Sequence, residues 1–139
     1  MIKLKNPEFI FGAFYCSLKN ALLKRKSTFT AYISKLTLSV SLYMLKKNYF
    51  SNVEIININD SARVLYITLN MSDDYCAISS IYLMASKSKS KVINLTYSEV
   101  LYIFKSERSI YILSTDKGIM NSLDAIKYKI GGIPLLEIY

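Results

Sequence analysis

Residues Ser114 to Gly118 set two hydroxyls, a carboxylate, a lysine and a glycine side by side, directly after the run Ile110-Tyr111-Ile112-Leu113. Hydroxyls, backbone N–H groups and a lysine at a strand end can grip a phosphodiester backbone and sugar edges, the contacts on which much nucleic-acid affinity rests. The same residues also make an ordinary capped turn, with Thr115 or Asp116 capping the next element and Gly118 supplying a left-handed backbone. Ser114 and Lys117 have the spacing of a serine with a lysine base but lack the helical context such a nucleophile needs. Further on, Gly131-Gly132 comes after Lys127 and Lys129. That pair reads either as a helix C-terminal cap with basic residues complementing the dipole, or as bare backbone that a polyanion can approach. Neither GxxxxGK nor GxGxxG is present, so no nucleotide-phosphate fingerprint is formed.

Other chemistry is thinly represented. The chain has no histidine and two cysteines, Cys16 and Cys76, which excludes the Cys/His zinc patterns and leaves a disulfide between them open. Without histidine the commonest general base is missing, and catalysis would have to run on Asp73, Asp74 or the Ser114/Lys117 pair. Asp73-Asp74 reads as a solvated hairpin end. An enzyme working through these residues stays open at this point, although no metal-ligand set or general base is visible for it.

The charge points elsewhere. Lys and Arg number 18 against 10 for Asp and Glu, a net charge of +8 in a chain that is 52% apolar. Such an excess suits a polyanionic partner or simple solubility. Its distribution is patchy: no acid lies between Glu8 and Glu54, where Lys19, Lys24, Arg25, Lys26, Lys35, Lys46 and Lys47 stand. A second basic block, Ser86 to Lys91, alternates Lys87, Lys89 and Lys91 with serines, while Glu54, Asp60, Asp73 and Asp74 outnumber Arg63 between the blocks. A footprint on a polyanion has this pattern. No apolar run approaches the ~20 residues that span a bilayer, and the first residues show neither a signal-peptide nor a transit pattern.

The elements that must position these groups emerge from local pattern. Asn6-Pro7-Glu8 opens a helix, and Ile10, Phe11, Phe14, Leu18 and Leu22 carry it at helical spacing to Leu23. The segment after it, around Thr28 to Tyr32, is a short strand. Between Ser34 and Lys47, Leu36, Leu38, Val40, Leu42 and Met44 alternate with polar residues as a strand does, although Leu36, Val40 and Met44 also fit a helical face that Ser34 would cap. Val53 to Ile58 and Arg63 to Asn70 flank an Asn/Asp/Ser cluster and form a hairpin. A polar patch at Met71 to Asp74 divides the chain into an N-terminal α/β domain, residues 1–72, and a C-terminal β-rich domain, residues 73–139. In the second half Ala77 to Met84, Lys91 to Leu95, Ser109 to Leu113 and Ile133 to Tyr139 read as strands. Tyr97 to Lys105 and Asn121 to Tyr128 read as helices.

Strand, then Ser114-Thr115-Asp116-Lys117-Gly118-Ile119-Met120, then a short helix, Gly131-Gly132 and a closing strand resembles the C-terminal signature of the eighth small-subunit ribosomal protein of bacteria and organelles. Lys19-Asn20 resembles the end of the family's first helix. Ser34-Lys35-Leu36 resembles the opening of its second, which favours helix over strand there. Asp116 stands where the family has serine, Ile133 where it carries glutamate, and the Lys87–Lys91 block where it has Pro-Gly; Asp116 would cap the next helix or pair with Lys117.

The resemblance implies an α+β fold of two small domains, N-terminal helices on a short sheet and C-terminal antiparallel β with a short helix. It implies a structural protein that binds a central-domain helix of small-subunit ribosomal RNA, stabilises the platform, touches neighbouring ribosomal proteins and catalyses nothing, with no metal, cofactor or small-molecule substrate. The RNA grip would comprise Ser114, Thr115, Asp116, Lys117, Gly118, Gly131 and Gly132. Lys19, Asn20, Ser34, Lys35, Lys87, Lys89 and Lys91 would add secondary contacts. Lys outnumbers Arg fifteen to three, and Ile, Asn and Tyr abound, as an A+T-rich gene would encode. The expected location is the mitochondrial matrix, with an organelle gene; a plastid-type organelle or a bacterial cytoplasm is the alternative. Two rival readings are a basic subunit that touches only proteins in an organellar complex and an enzyme using Asp73, Asp74 or the Ser114/Lys117 pair.

Overall fold

The computed structural model describes residues 7–59, 62–72, 75–84, 94–107 and 110–139, and the chain divides into two compact units, Met1–Ser79 and Ser80–Tyr139. Asp60, Ser61, Asp73, Asp74, Lys87, Lys89 and Lys91 lie outside the described residues.

In the first unit, helix α1 (Pro7–Leu23) leads into β1 (Thr28–Tyr32), α2 (Lys35–Lys46) and the hairpin β2 (Phe50–Asn59) and β3 (Ala62–Leu69). Two short strands, β4 (Met71–Ser72) and β5 (Tyr75–Cys76), pair with each other. The antiparallel sheet has β3 in the middle, order β1-β3-β2. Its core is a line of phenylalanines: Phe11 stacks on Phe14 at 5.7 Å, Phe14 meets Phe29 at 6.0 Å, and Phe29 meets Phe50 edge-on at 6.0 Å. Rings at these separations add to the energy of area burial. Burial pushes the Tyr49 phenol up from its ordinary value, partly opposed by Lys47.

The segment after Ser34 is a helix, against its own alternation. It buries Thr37, Val40, Ser41 and Met44, a helical spacing in which two of the four inward residues are hydroxyls. Thr37 is satisfied by a capping box: Ser34 Oγ accepts from the Thr37 amide at 3.1 Å, and Thr37 Oγ1 accepts from the Ser34 amide at 2.8 Å. The Thr37 hydroxyl also reaches the Tyr32 carbonyl at 3.0 Å. Strand β2 is an edge strand of ten residues, and Ile55, Ile56 and Ile58 on it are 50%, 37% and 63% exposed.

The second unit runs β6 (Ile81–Leu83), α3 (Tyr97–Glu107), β7 (Ile110–Thr115), β8 (Gly118–Asn121), α4 (Ser122–Tyr128) and β9 (Ile133–Ile138). Its antiparallel sheet has the order β6-β9-β7-β8. Tyr111, Ile112 and Leu113 are buried in succession, so both faces of β7 are covered. Thr96 and Glu99 exchange hydrogen bonds at the start of α3. The mixed helix-and-sheet architecture expected of the sequence is present in both halves.

Several local expectations are corrected. The strand expected over Ala77 to Met84 shrinks to Ile81–Leu83. Of Lys91 to Leu95, Leu95 makes an isolated bridge to Gly132, and residues 91–93 lie outside the described residues. The helix expected over Asn121 to Tyr128 is present as α4, but Ile119 and Met120 before it lie in strand β8, and its cap is Asn121, whose Oδ1 accepts from the Asp124 amide at 2.8 Å, so Asp116 does not cap it. The left-handed residue closing α4 is Lys129, at φ 57° and ψ 44°, not a glycine. Cys16 and Cys76 are both free. No described helix is long and apolar enough to cross a membrane.

Candidate nucleic-acid interface

The register of β7 against β8 pairs Thr115 with Gly118 and leaves Asp116 and Lys117 as the two exposed residues of a hairpin turn. Gly118 comes next at φ 110°, a backbone that side chains strain. Thr115 ties the turn from inside: its hydroxyl donates to the Gly118 carbonyl at 2.7 Å and accepts from the Lys117 amide at 3.2 Å. The turn thus holds the Lys117 side chain outward on a fixed base. Its ammonium lies 5.6 Å from the centre of the Tyr128 ring.

Gly131-Gly132 is wedged between two other backbone segments. Leu95 and Gly132 exchange two amide hydrogen bonds, at 2.8 and 3.0 Å. A Cβ on Gly131 would collide with the Leu95 carbonyl oxygen and stand 2.8 Å from the Thr96 carbonyl carbon. A Cβ on Gly132 would stand 2.6 Å from the Ser114 carbonyl oxygen and 2.8 Å from Thr115 Cγ2. Both glycines are therefore required by the protein's own backbone. Ser114 pairs with Ile133 on the other side of β7, so the hairpin turn and the glycine pair come together at one end of the sheet.

Exposure is graded across this end. Asp116, Lys117 and Gly118 are exposed; Ser114, Thr115 and Gly131 are half-buried; Gly132 is buried. Sequence pattern did not mark Lys127, Tyr128 and Lys129 as contacts, yet all three are exposed, with the Lys127 ammonium 6.0 Å from the Tyr128 ring centre. The signal for them was present, an aromatic interleaved with lysines just before the glycine pair, but a helix-end explanation accounts for the lysines equally well.

The remaining candidates stand in the first unit. Lys19 and Asn20 are exposed near the end of α1, with the Lys19 ammonium 5.7 Å from the Tyr15 ring centre. Ser34 is committed to capping α2, while Lys35 is exposed in its first turn, which holds no acid to balance the positive end of the helix. Among the described residues no cluster of three or more His, Cys, Asp or Glu could hold a metal ion.

Residues 11–139 match the ribosomal protein S8 family. The chain is 28% identical over 120 residues to small ribosomal subunit protein uS8 of Sulfolobus acidocaldarius, covering 86% of this chain and 88% of that one. It is 25% identical over 122 residues to small ribosomal subunit protein uS8 of Wolinella succinogenes, covering 88% and 91% respectively. The family match runs through both units, including the turn, the glycine pair and the helix whose inward face is half hydroxyl, and the chain belongs to the ribosomal protein S8 family.

Proposed function

We propose that this protein is a structural constituent of the small ribosomal subunit that binds ribosomal RNA and catalyses nothing. The observation that carries the reading is the convergence of two hydroxyls, an outward lysine and an unhindered glycine on one braced turn, in a chain of net charge +8. Such a turn positions backbone contacts rather than reading base edges. We assign the main grip to Ser114, Thr115, Asp116, Lys117 and Gly118 of the C-terminal unit, with Gly131 and Gly132 allowing β9 to close behind them. Asp116 shares the exposed turn and weakens its field, a cost the neighbouring lysines offset. Lys19, Asn20, Ser34, Lys35, Lys87, Lys89 and Lys91 are assigned secondary contacts.

On the same reading the RNA target is a central-domain helix of the small-subunit RNA, and the protein supports the platform beside neighbouring ribosomal proteins. The particle is taken to be a mitochondrial ribosome; the support is compositional, fifteen lysines to three arginines with abundant Ile, Asn and Tyr. Filter binding of the full chain to the cognate central-domain fragment tests the grip. Lys117→Ala is expected to weaken binding and to lower the slope of log affinity against log salt by roughly 0.7 to 0.9. Unchanged affinity and slope overturn the assignment of Lys117. Nuclease-resistant association with the particle would instead favour a subunit held by proteins alone.

A further inference from the structure

We propose that Tyr128 is a stacking platform for an unpaired nucleotide, so that the RNA surface of the C-terminal unit extends from the hairpin turn onto the last turn of α4. The inference rests on the RNA-binding reading above and adds a ligand class to it. Tyr128 is 53% exposed, and two ammonium groups from different elements approach its ring, Lys117 from the turn at 5.6 Å and Lys127 from its own helix at 6.0 Å. Lys129 adds a third exposed charge next to it.

Complementing the helix dipole accounts for Lys127 and Lys129. It accounts neither for an exposed tyrosine between them nor for a lysine reaching over from another element. Residue 129 adopts the left-handed conformation in which glycine is unstrained, yet it is a charged residue. An exposed aromatic face with loosely held cations over it suits a nucleotide: a base lies on the ring while its phosphates meet the ammonium groups. Both lysine contacts sit near the ~6 Å limit of cation–π attraction, so an incoming base displaces them at small cost and frees the charges for phosphate. The described acids in this region are Asp116, on the turn, Asp124, half-buried in the first turn of α4, and Glu99, at the start of α3, whose carboxylate is engaged by the Thr96 amide and hydroxyl.

The chain contains no tryptophan, which permits a direct test. Tyr128→Trp places a single indole at the platform. Tyr139→Trp places one at the far end of the same sheet, beyond the Ile110–Ile138 pairing, as a control. Each full-length variant is titrated with the transcribed central-domain fragment of its small-subunit RNA, with filter retention and indole fluorescence measured together. The expected result is binding by both, with quenching at 128 and little at 139. Tyr128→Ala should lose about 5- to 150-fold in affinity with an unchanged salt slope, since no charge is removed, and Tyr128→Phe should restore most of it. Binding without quenching at 128, or an unaffected Tyr128→Ala, overturns the platform and leaves the RNA-binding function standing. Absence of binding by the unaltered chain overturns that function and the platform with it.

Discussion

Each of the two units is held together internally by its own kind of contact. In the N-terminal unit the decisive contacts are between side chains: four phenylalanine rings link α1, β1 and β2, and Phe14 and Phe50 are almost wholly enclosed. At the turn-and-glycine end of the C-terminal unit they are between backbones, with Gly131 against Leu95 and Thr96 and Gly132 against Ser114. Side-chain packing can relax around a smaller residue and loses stability in proportion to the cavity left. Backbone packing has no spare volume and no rotamer to change, so it fixes position more than it stores energy. A turn that must hold a lysine and two hydroxyls in place is better braced by the second kind.

The largest expected effect is in the first kind. Phe14→Ala should cost about 3 to 5 kcal/mol in denaturant unfolding, since it removes a ring that touches two others. Gly131→Ala should come next, at about 1 to 3 kcal/mol from overpacking, and should weaken RNA binding beyond its effect on stability because the turn is displaced. If Gly131→Ala cost more than Phe14→Ala, the ranking that separates the two units would be reversed. Ser34→Ala should cost about 1 kcal/mol by breaking the capping box of α2 while leaving the C-terminal grip untouched. Lys129→Gly sharpens the contrast from the other side. Relieving a left-handed lysine should raise stability by about 1 kcal/mol. Yet it should reduce RNA affinity and the salt slope together. A variant that gains stability and keeps full affinity would mean that the strained lysine serves no contact.

Much of the fold was legible because local signals agreed with tertiary outcome. The apolar stripe of α1 and the hairpin of β2 and β3 each carry one period and one answer. Helix α2 did not, because its inward face holds Thr37 and Ser41, and Ser41 Oγ is buried without a hydrogen-bond partner among the described residues. A buried hydroxyl breaks the apolar rhythm from which a helix is read, and only family resemblance recovered it. At the candidate site, the residues of the turn were legible but the role of the glycine pair was not. Whether Gly131 admits an RNA or its own chain depends on Leu95, far away in sequence and brought in by the fold. Tyr128 escaped notice for a similar reason: its significance comes from Lys117, which reaches it from another element.

Strand β2 bears on the life of the protein before it finds its particle. A ten-residue edge with three exposed isoleucines and, among the described residues, no strand on its side away from β3 offers apolar surface and a sheet edge to any copy that meets it. The unassembled chain is thus a candidate for self-pairing into sheet aggregates, which sets a premium on prompt incorporation and on keeping its synthesis matched to the supply of RNA.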